Sequence, residues 1–313
     1  MRVPTPLPVA FARPDALPAP GSLRGRVAVL DLALDGADPG RSLAWAAALG
    51  DRLAAWVDHH EQPAWACVAG DSRFVFRPRD EAPACPPLVT AERVARLGPA
   101  DTIVAHGDLD GVLAAAKWMI LQAGRPVPAW LDPDSIAADS RRGRPGPRGA
   151  RLDAALRSGR RGDRLRWLVL ESVWAEAWGA PEPPGLAAEL DAAAADHARL
   201  ADRARELAAA ARPLVAVPED AVVVDLRRIR EPVDLTSLLL ELQARHDWAI
   251  VIARGRGGGR KIVVGTDPER SGLDLRRELG VAGYAPFRVR ASAEALTARL
   301  PDPALGRALA VEG

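Results

Sequence analysis

Twice along this chain a compact apolar run ends in acid or histidine and gives way to a segment of helical spacing, an alternation that narrows the available folds. RVAVLDLALD, beginning at Arg26, leads into RSLAWAAALGDRLA and then into AAWVDHH, which closes at His60. DTIVAHGDLDG, beginning at Asp101, leads into VLAAAKWMILQAG and PVPAWLDPD, with RLRWLVLES further on. Strand, helix, strand units of this kind predict an α/β fold: a parallel sheet with helices on both faces, PVPAWLDPD and RLRWLVLES supplying further strands. In such sheets ligands bind where the strands end at their carboxyl side.

A chain of 313 residues is long enough for two domains, and its text changes character accordingly. Six prolines in the first twenty residues remove backbone donors and favour extended chain, so 1–25 reads as an irregular arm. Residues 26–184 form the first domain. The stretch 185–212, rich in Ala, Leu, Glu and Arg with no proline, predicts a long linking helix. Residues 213–313 form a smaller α/β domain: LVAVPEDAVVVDLRR, a helical DLTSLLLELQARH, then WAIVIARGRGGGRKIVVGTD as two strands around a glycine-rich turn. The segment SRRGRPGPRGAR, 140–151, reads as a basic loop, with an anion-binding lid as the alternative.

A net charge of +1, from 42 Lys and Arg against 41 Asp and Glu, gives no global reason to expect a nucleic-acid coat or a membrane surface. No window holds eighteen apolar residues free of charge, and the start lacks a secretory core. Two cysteines, Cys67 and Cys85, are too few for a disulfide scaffold and are expected to be buried thiols in a reducing cytoplasm.

Three clusters each follow an apolar run: Asp31 after RVAVL, Asp58-His59-His60 after LAAWV, and His106-x-Asp108-x-Asp110-Gly111 after DTIVA. In a parallel sheet all three share one rim. Carboxylates and imidazoles gathered there repel one another or lie desolvated unless cations fill the gap, and divalent ions accept that mix of oxygen and nitrogen ligands. Alternate side chains of the H-x-D-x-D stretch reach different ions, and Gly111 lets the chain turn into the following helix. Two ions about 3.5–4 Å apart would clamp a phosphoryl group and lower the pKa of a bound water.

HGDLDG before a helix, an isolated Asp after a strand, and VDHH together resemble the motifs of the DHH phosphoesterase superfamily, which includes RecJ-type exonucleases, nanoRNases, cyclic-dinucleotide phosphodiesterases and inorganic pyrophosphatases. The C-terminal third resembles the DHH-associated domain of the RecJ and nanoRNase branch. The resemblance implies that His106 and Asp108 bind one ion, that Asp31 bridges, and that Asp110 and His59 bind the second. It implies that Asp58 orients the histidines and that His60 meets the scissile phosphate. The implied activity is a two-ion Mn²⁺ or Mg²⁺ phosphodiesterase acting on short oligonucleotides or on linear or cyclic dinucleotides. The rival is a nucleotide sensor or assembly subunit on the same fold that has lost turnover. Oligomeric state stays open, a homodimer included.

The family order is H-x-D-x-D, isolated Asp, DHH, whereas here Asp31 and DHH precede HGDLDG. A circular permutation of strands within one sheet preserves such a site, and a permuted sheet is therefore expected. The alternative is a decayed N-terminal copy, with the isolated acid replaced by Glu171 in RLRWLVLES. A further metal-binding Asp comes from a later loop in the family; Asp139 in IAADSRRG is preferred because a small hydroxyl residue follows, over Asp132, Asp134, Asp71 and Asp80. The family's Gly-Gly-Gly-His loop has no full match. GVAGYAPF, 280–287, lacks the histidine, and GRGGGRK, 255–261, stands between two strands. Arg254, Arg256, Arg260 and Lys261 are the candidates for holding substrate phosphate there. Trp56, Trp118, Trp167 and Trp248 read as core, and His197 and His246 as surface residues without a partner.

Overall fold

Val27–Leu30 and Leu53–Asp58 contain no residue that reaches solvent, the signature of strands covered on both faces. They are β2 and β3 of a five-stranded, all-parallel sheet that also contains β1 (Val9–Ala12), β4 (Phe74–Phe76) and β5 (Thr102–His106), in the order β1-β5-β2-β3-β4. The computed structural model describes residues 3–255, 259–281 and 285–310. The chain divides into two compact units, Met1–Ala195 and Asp196–Gly313.

Alternation along β2 sends its side chains to two cores. Val27 and Val29 join Trp45, Ala46 and Leu49 of α1 (Pro39–Leu49), together with Trp56 and Val104. Ala28 and Leu30 join the opposite cluster, built with α2 (Ala91–Leu97), α3 (Leu109–Gln122), α4 (Leu131–Ser140), α5 (Pro147–Leu156) and α6 (Arg164–Ala177). The middle of that layer is α3, whose residues from Leu109 to Ile120 are all buried. Local signals explain α1: Asp38 accepts from the Arg41 N–H, Pro39 occupies the first turn, and Gly50 at φ 56° stops the helix.

Three sequence expectations are corrected here. Val9–Ala12, inside the arm expected to be irregular, pairs in parallel with β5, Ala12 opposite His106; an edge position tolerates prolines on either side because one row of its backbone groups needs no partner. RLRWLVLES is not a strand but the first nine residues of α6, which runs fourteen residues without a turn signal. PVPAWLDPD is not a strand either: Pro126 and Pro128 deny the ladder two donors, and Leu131 begins α4. The basic segment at 140–151 is short loop followed by α5.

The long helix α7 (Pro184–Ala210) contains the division between units. The second unit has a mixed sheet, β6 (Ala221–Asp225), β7 (Trp248–Arg254), β8 (Arg260–Gly265) and β9 (Arg288–Arg290), in that order. β6 and β7 are parallel and the other pairs antiparallel. α8 (Leu235–Gln243) packs Leu238, Leu239 and Leu242 on one face. The other face meets residues of α10 (Leu275–Leu279), α11 (Ala293–Arg299) and α12 (Pro303–Ala310), which follow the single turn α9 (Pro268–Ser271). Among the described residues no helix is long and apolar enough to cross a membrane.

Helix α3 leaves the sheet immediately after His106, and Gly111 marks the tightest point of that exit. A Cβ there would lie 2.5 Å from the His106 carbonyl oxygen and 3.0 Å from Asp31 Oδ2. Gly111→Ala is expected to lower the unfolding free energy by about 1–3 kcal/mol. Gly21→Ala, a position with open space around it, is the control and should not destabilise. Denaturant titration of both variants tests this, and equal midpoints would contradict the close approach.

Candidate metal centre

The registers of β5, β2 and β3 bring their carboxyl ends level: Leu30 lies opposite both Ala105 and Val57. Asp31 follows Leu30 in the left-handed region, φ 54°, with its N–H donating to the Val57 carbonyl at 2.9 Å; aspartate is one of the few residues that accept that conformation. Asp58 ends β3, with His59 and His60 next, and His106 ends β5. Asp108 stands at the N-cap of α3 yet its side chain makes no capping bond, and Asp110 lies in the first turn. The Cys85 N–H donates to Asp110 Oδ2 at 3.2 Å. Asp139 comes from the end of α4, which Lys117 ties in place: its ammonium is 2.7 Å from both Asp132 oxygens and 2.8 Å from the Pro86 carbonyl.

The expected residues therefore meet in space, as three overlapping groups able to hold a cation: Asp31 with His59 and His60, Asp31 with His106 and Asp108, and His59 with Asp110 and Asp139. Asp31 Oδ1 is 3.2 Å from His59 Nε2 and 3.8 Å from His60 Nδ1, while Oδ2 is 3.8 Å from His106 Nδ1. His59 Nε2 is 3.6 Å from Asp110 Oδ2 and 3.8 Å from Asp139 Oδ2. The Asp31 and His59 side chains are fully buried, whereas those of His106 and Asp108 are 35% and 47% exposed, so the latter pair forms the mouth.

Partners decide the imidazole tautomers. His59 Nδ1 is 2.9 Å from the Ala82 carbonyl, which can only accept, so Nδ1 carries a proton and Nε2 faces three carboxylates. His60 Nδ1 donates to Asp58 Oδ1 at 2.8 Å, and its Nε2 accepts from Arg79 Nη2 at 2.8 Å. Asp58 orients His60, while the Ala82 carbonyl rather than Asp58 sets the His59 ring.

Electrostatics mark the same centre. Burial pushes the Asp31 carboxyl well above its ordinary range, and the charges of Asp108, Asp139 and Asp58 push it further. Asp110 is raised by burial and then by Asp31 and Asp139. The Asp108 charge lifts His106 to about 9, and burial lowers the His60 imidazole. Both Asp31 oxygens and His59 Nε2 are buried atoms without a hydrogen-bond partner, while His106 Nδ1 and Asp108 Oδ1 face each other at 2.8 Å. Such groups are costly alone and fit a divalent cation, which takes imidazole lone pairs and carboxylate oxygens together.

The other candidate acids are otherwise engaged. Asp132 pairs with Lys117, Asp134 accepts from the Gly146 and Gly149 N–H groups, Asp71 pairs with Arg73, and Asp80 is exposed. Glu171 is exposed on α6. In the second unit Arg254 donates from Nε and Nη2 to the Arg227 carbonyl at 3.1 and 2.9 Å, and Arg260 donates to that of Leu309. Lys261 is half-buried on β8, and Arg256 lies outside the described residues. Trp56, Trp118 and Trp248 are fully buried and Trp167 partly so. Cys85 is buried but Cys67 is exposed. His246 and His197 are half-buried rather than on the surface, His246 2.6 Å from Asp220 and His197 3.7 Å from Asp234.

Sequence reasoning passed over Arg79, the Ala82 carbonyl and the Cys85 amide, all from the connection between β4 and α2. Two act through the backbone, which has no sequence signature, and Arg79 is one arginine among many in a stretch without periodicity.

A cation between Asp31, His106 and Asp108 must displace the His106 proton. Because that imidazole titrates near 9 rather than 6.5, the folded, ion-free protein carries the proton throughout that interval. Mn²⁺ affinity is expected to rise by about tenfold per pH unit between pH 6.5 and 9. Calorimetric titration in buffers of different ionisation enthalpy measures the released proton, and a pH-independent affinity would remove His106 from the ligand set.

No protein-family model and no curated protein matches the chain. Among solved structures it is similar to a pGpG-specific phosphodiesterase, PggH from Vibrio cholerae, at 12% identity and a TM-score of 0.40, over 93% of this chain and 100% of the other.

Proposed function

We propose that this chain is a metal-dependent phosphodiesterase that hydrolyses short oligonucleotides or linear or cyclic dinucleotides, on a circularly permuted DHH phosphoesterase framework. One observation carries the reading: a buried imidazole lone pair and both oxygens of a buried aspartate face further carboxylates with no hydrogen bond among them. A hydrolytic site built from protein groups alone would pair these atoms with donors. A site made for cations leaves them bare.

His106, Asp108 and Asp31 would hold one ion, and His59, Asp110 and Asp139 the other. The two Asp31 oxygens face the two histidines, Oδ1 toward His59 and Oδ2 toward His106, which supports a bridging role. When bound, such ions supply Lewis acidity toward phosphoryl oxygens and a water of lowered pKa, Mn²⁺ or Mg²⁺ being the proposed metals. The chain itself does the positioning. Asp58 fixes the His60 ring through Nδ1, and Nε2 accepts from Arg79. The α3 N-terminus directs the positive end of its dipole at the same place, which favours an anionic substrate.

Strand adjacency supports the permutation. β5, carrying H-x-D-x-D, lies beside β2, carrying the isolated Asp, which lies beside β3, carrying DHH, so the family's motif order is kept in space although β5 comes last in the chain. The second unit, with Arg254, Arg256, Arg260 and Lys261, is the proposed substrate-holding domain. A charge balance near zero suits a short substrate better than a polymer, whose binding draws on an extended basic surface. One observation favours the sensor instead: Arg79 already sets a protein cation on Asp139.

The deciding experiment incubates the full chain and Mn²⁺ with pApA, five-residue RNA and DNA, cyclic di-AMP and pyrophosphate, and analyses products by chromatography. Wild type is expected to cleave a diester, and Asp31→Asn and Asp110→Ala to fall to background while staying folded. Asp58→Asn is expected to lower turnover by about 10- to 100-fold. Stoichiometric nucleotide binding without product would establish the sensor.

A further inference from the structure

The guanidinium of Arg79 is the unusual group of this centre. Its Nη1 donates to Asp139 Oδ2 and its Nη2 to the neutral His60 Nε2, while its Nε is buried with no partner. Arginine presents the Nε and Nη2 hydrogens as a parallel pair that matches two oxygens of a carboxylate or phosphate. Three other arginines show that edge filled: Arg73 sets it on Asp71, Arg227 on Asp225 and Arg276 on Asp274, each with Nε and Nη2 on carboxylate oxygens. Arg79 alone of these four offers the edge to a single imidazole nitrogen, in a side chain only 16% exposed.

We propose that Arg79 is the substrate-gripping residue of this site, its Nε and Nη2 hydrogens receiving the two non-bridging oxygens of a phosphodiester. The inference rests on the phosphodiesterase reading and adds the group that recognises the reacting phosphate. The geometry suits it on both sides. Asp139 Oδ2, which Nη1 holds, belongs to the group shared with His59 and Asp110, and His60 belongs to the group shared with Asp31 and His59. Arg79 therefore touches two of the three groups able to hold a cation, through Asp139 in one and His60 in the other. Asp139 and His60 hold the guanidinium at the site. An incoming phosphate satisfies the bare Nε and takes Nη2 from His60, whose Nε2 then faces the substrate.

The test is calorimetry on the full chain loaded with Mn²⁺, using inorganic phosphate and pApA as probes on wild type, Arg79→Gln and Arg79→Lys, with bound manganese counted separately. Arg79→Gln is expected to keep its manganese and to bind both probes about 10- to 100-fold more weakly, the loss of hydrogen bonds to a charged group. Arg79→Lys keeps the charge without the fork and is expected to fall between the two; should the glutamine variant fail to fold, the lysine variant alone must show weaker probe binding. Probe affinities equal to wild type in either folded variant overturn the proposal. So does loss of manganese from Arg79→Gln, which would make the residue a prop for Asp139, or a wild type that binds neither probe. A wild type that binds phosphate through Arg79 yet cleaves no diester of the panel above defeats the phosphodiesterase reading and leaves this one standing.

Discussion

A carboxylate with no partner governs the first unit. Asp31 is buried between two strands, with two histidines and further carboxylates around it and both oxygens lacking a hydrogen bond. Burying such a group costs several kcal/mol unless it is neutralised or paired. Its neighbours answer to it: Asp110 shares its raised pKa, the Ala82 carbonyl holds the His59 ring against it, and His106 pairs with Asp108 beside it. The surrounding strands and the wholly buried first three turns of α3 supply the apolar burial that lets a folded chain carry this electrostatic load. A divalent cation would relieve it directly, taking imidazole nitrogens and carboxylate oxygens together.

The sheet makes the concentration of charge geometrically simple. Parallel strands end on one rim, so residues that follow three adjacent strands converge without long loops. The remaining pieces come from connections. The segment after β4 delivers the Ala82 carbonyl, the Cys85 amide and Arg79, and the buried Lys117 to Asp132 pair sets α4 and thereby Asp139. Such contacts from outside the strands are how a rim of like charges keeps a defined shape.

Legibility followed the range of the physics involved. The strands β2, β3 and β5 and the residues that follow them could be read because local patterning and adjacency in the chain specify both. RLRWLVLES and PVPAWLDPD were misread because short apolar runs do not distinguish strand from helix; length without a break decided for helix in one, and two prolines decided against a strand in the other. The N-terminal strand was missed because proline density outweighs four strand-forming residues when the partner strand lies some ninety residues away. Asp139 could be picked from five acids only weakly in sequence, and its place beside His59 and Asp110 comes from the packing of α4.

What the sequence determined by itself is which residues can carry chemistry and on which rim of a parallel sheet they stand, because strand, motif and helix are contiguous and the side-chain alternation is local. Tertiary structure alone decided the neighbours: that β5 inserts between β1 and β2, that a backbone carbonyl holds the His59 ring, and that Arg79 reaches His60 and Asp139 across 19 and 60 residues of chain. These are contacts between segments distant in sequence, and nothing in a residue's local pattern encodes the partner that closure of the core will bring to it.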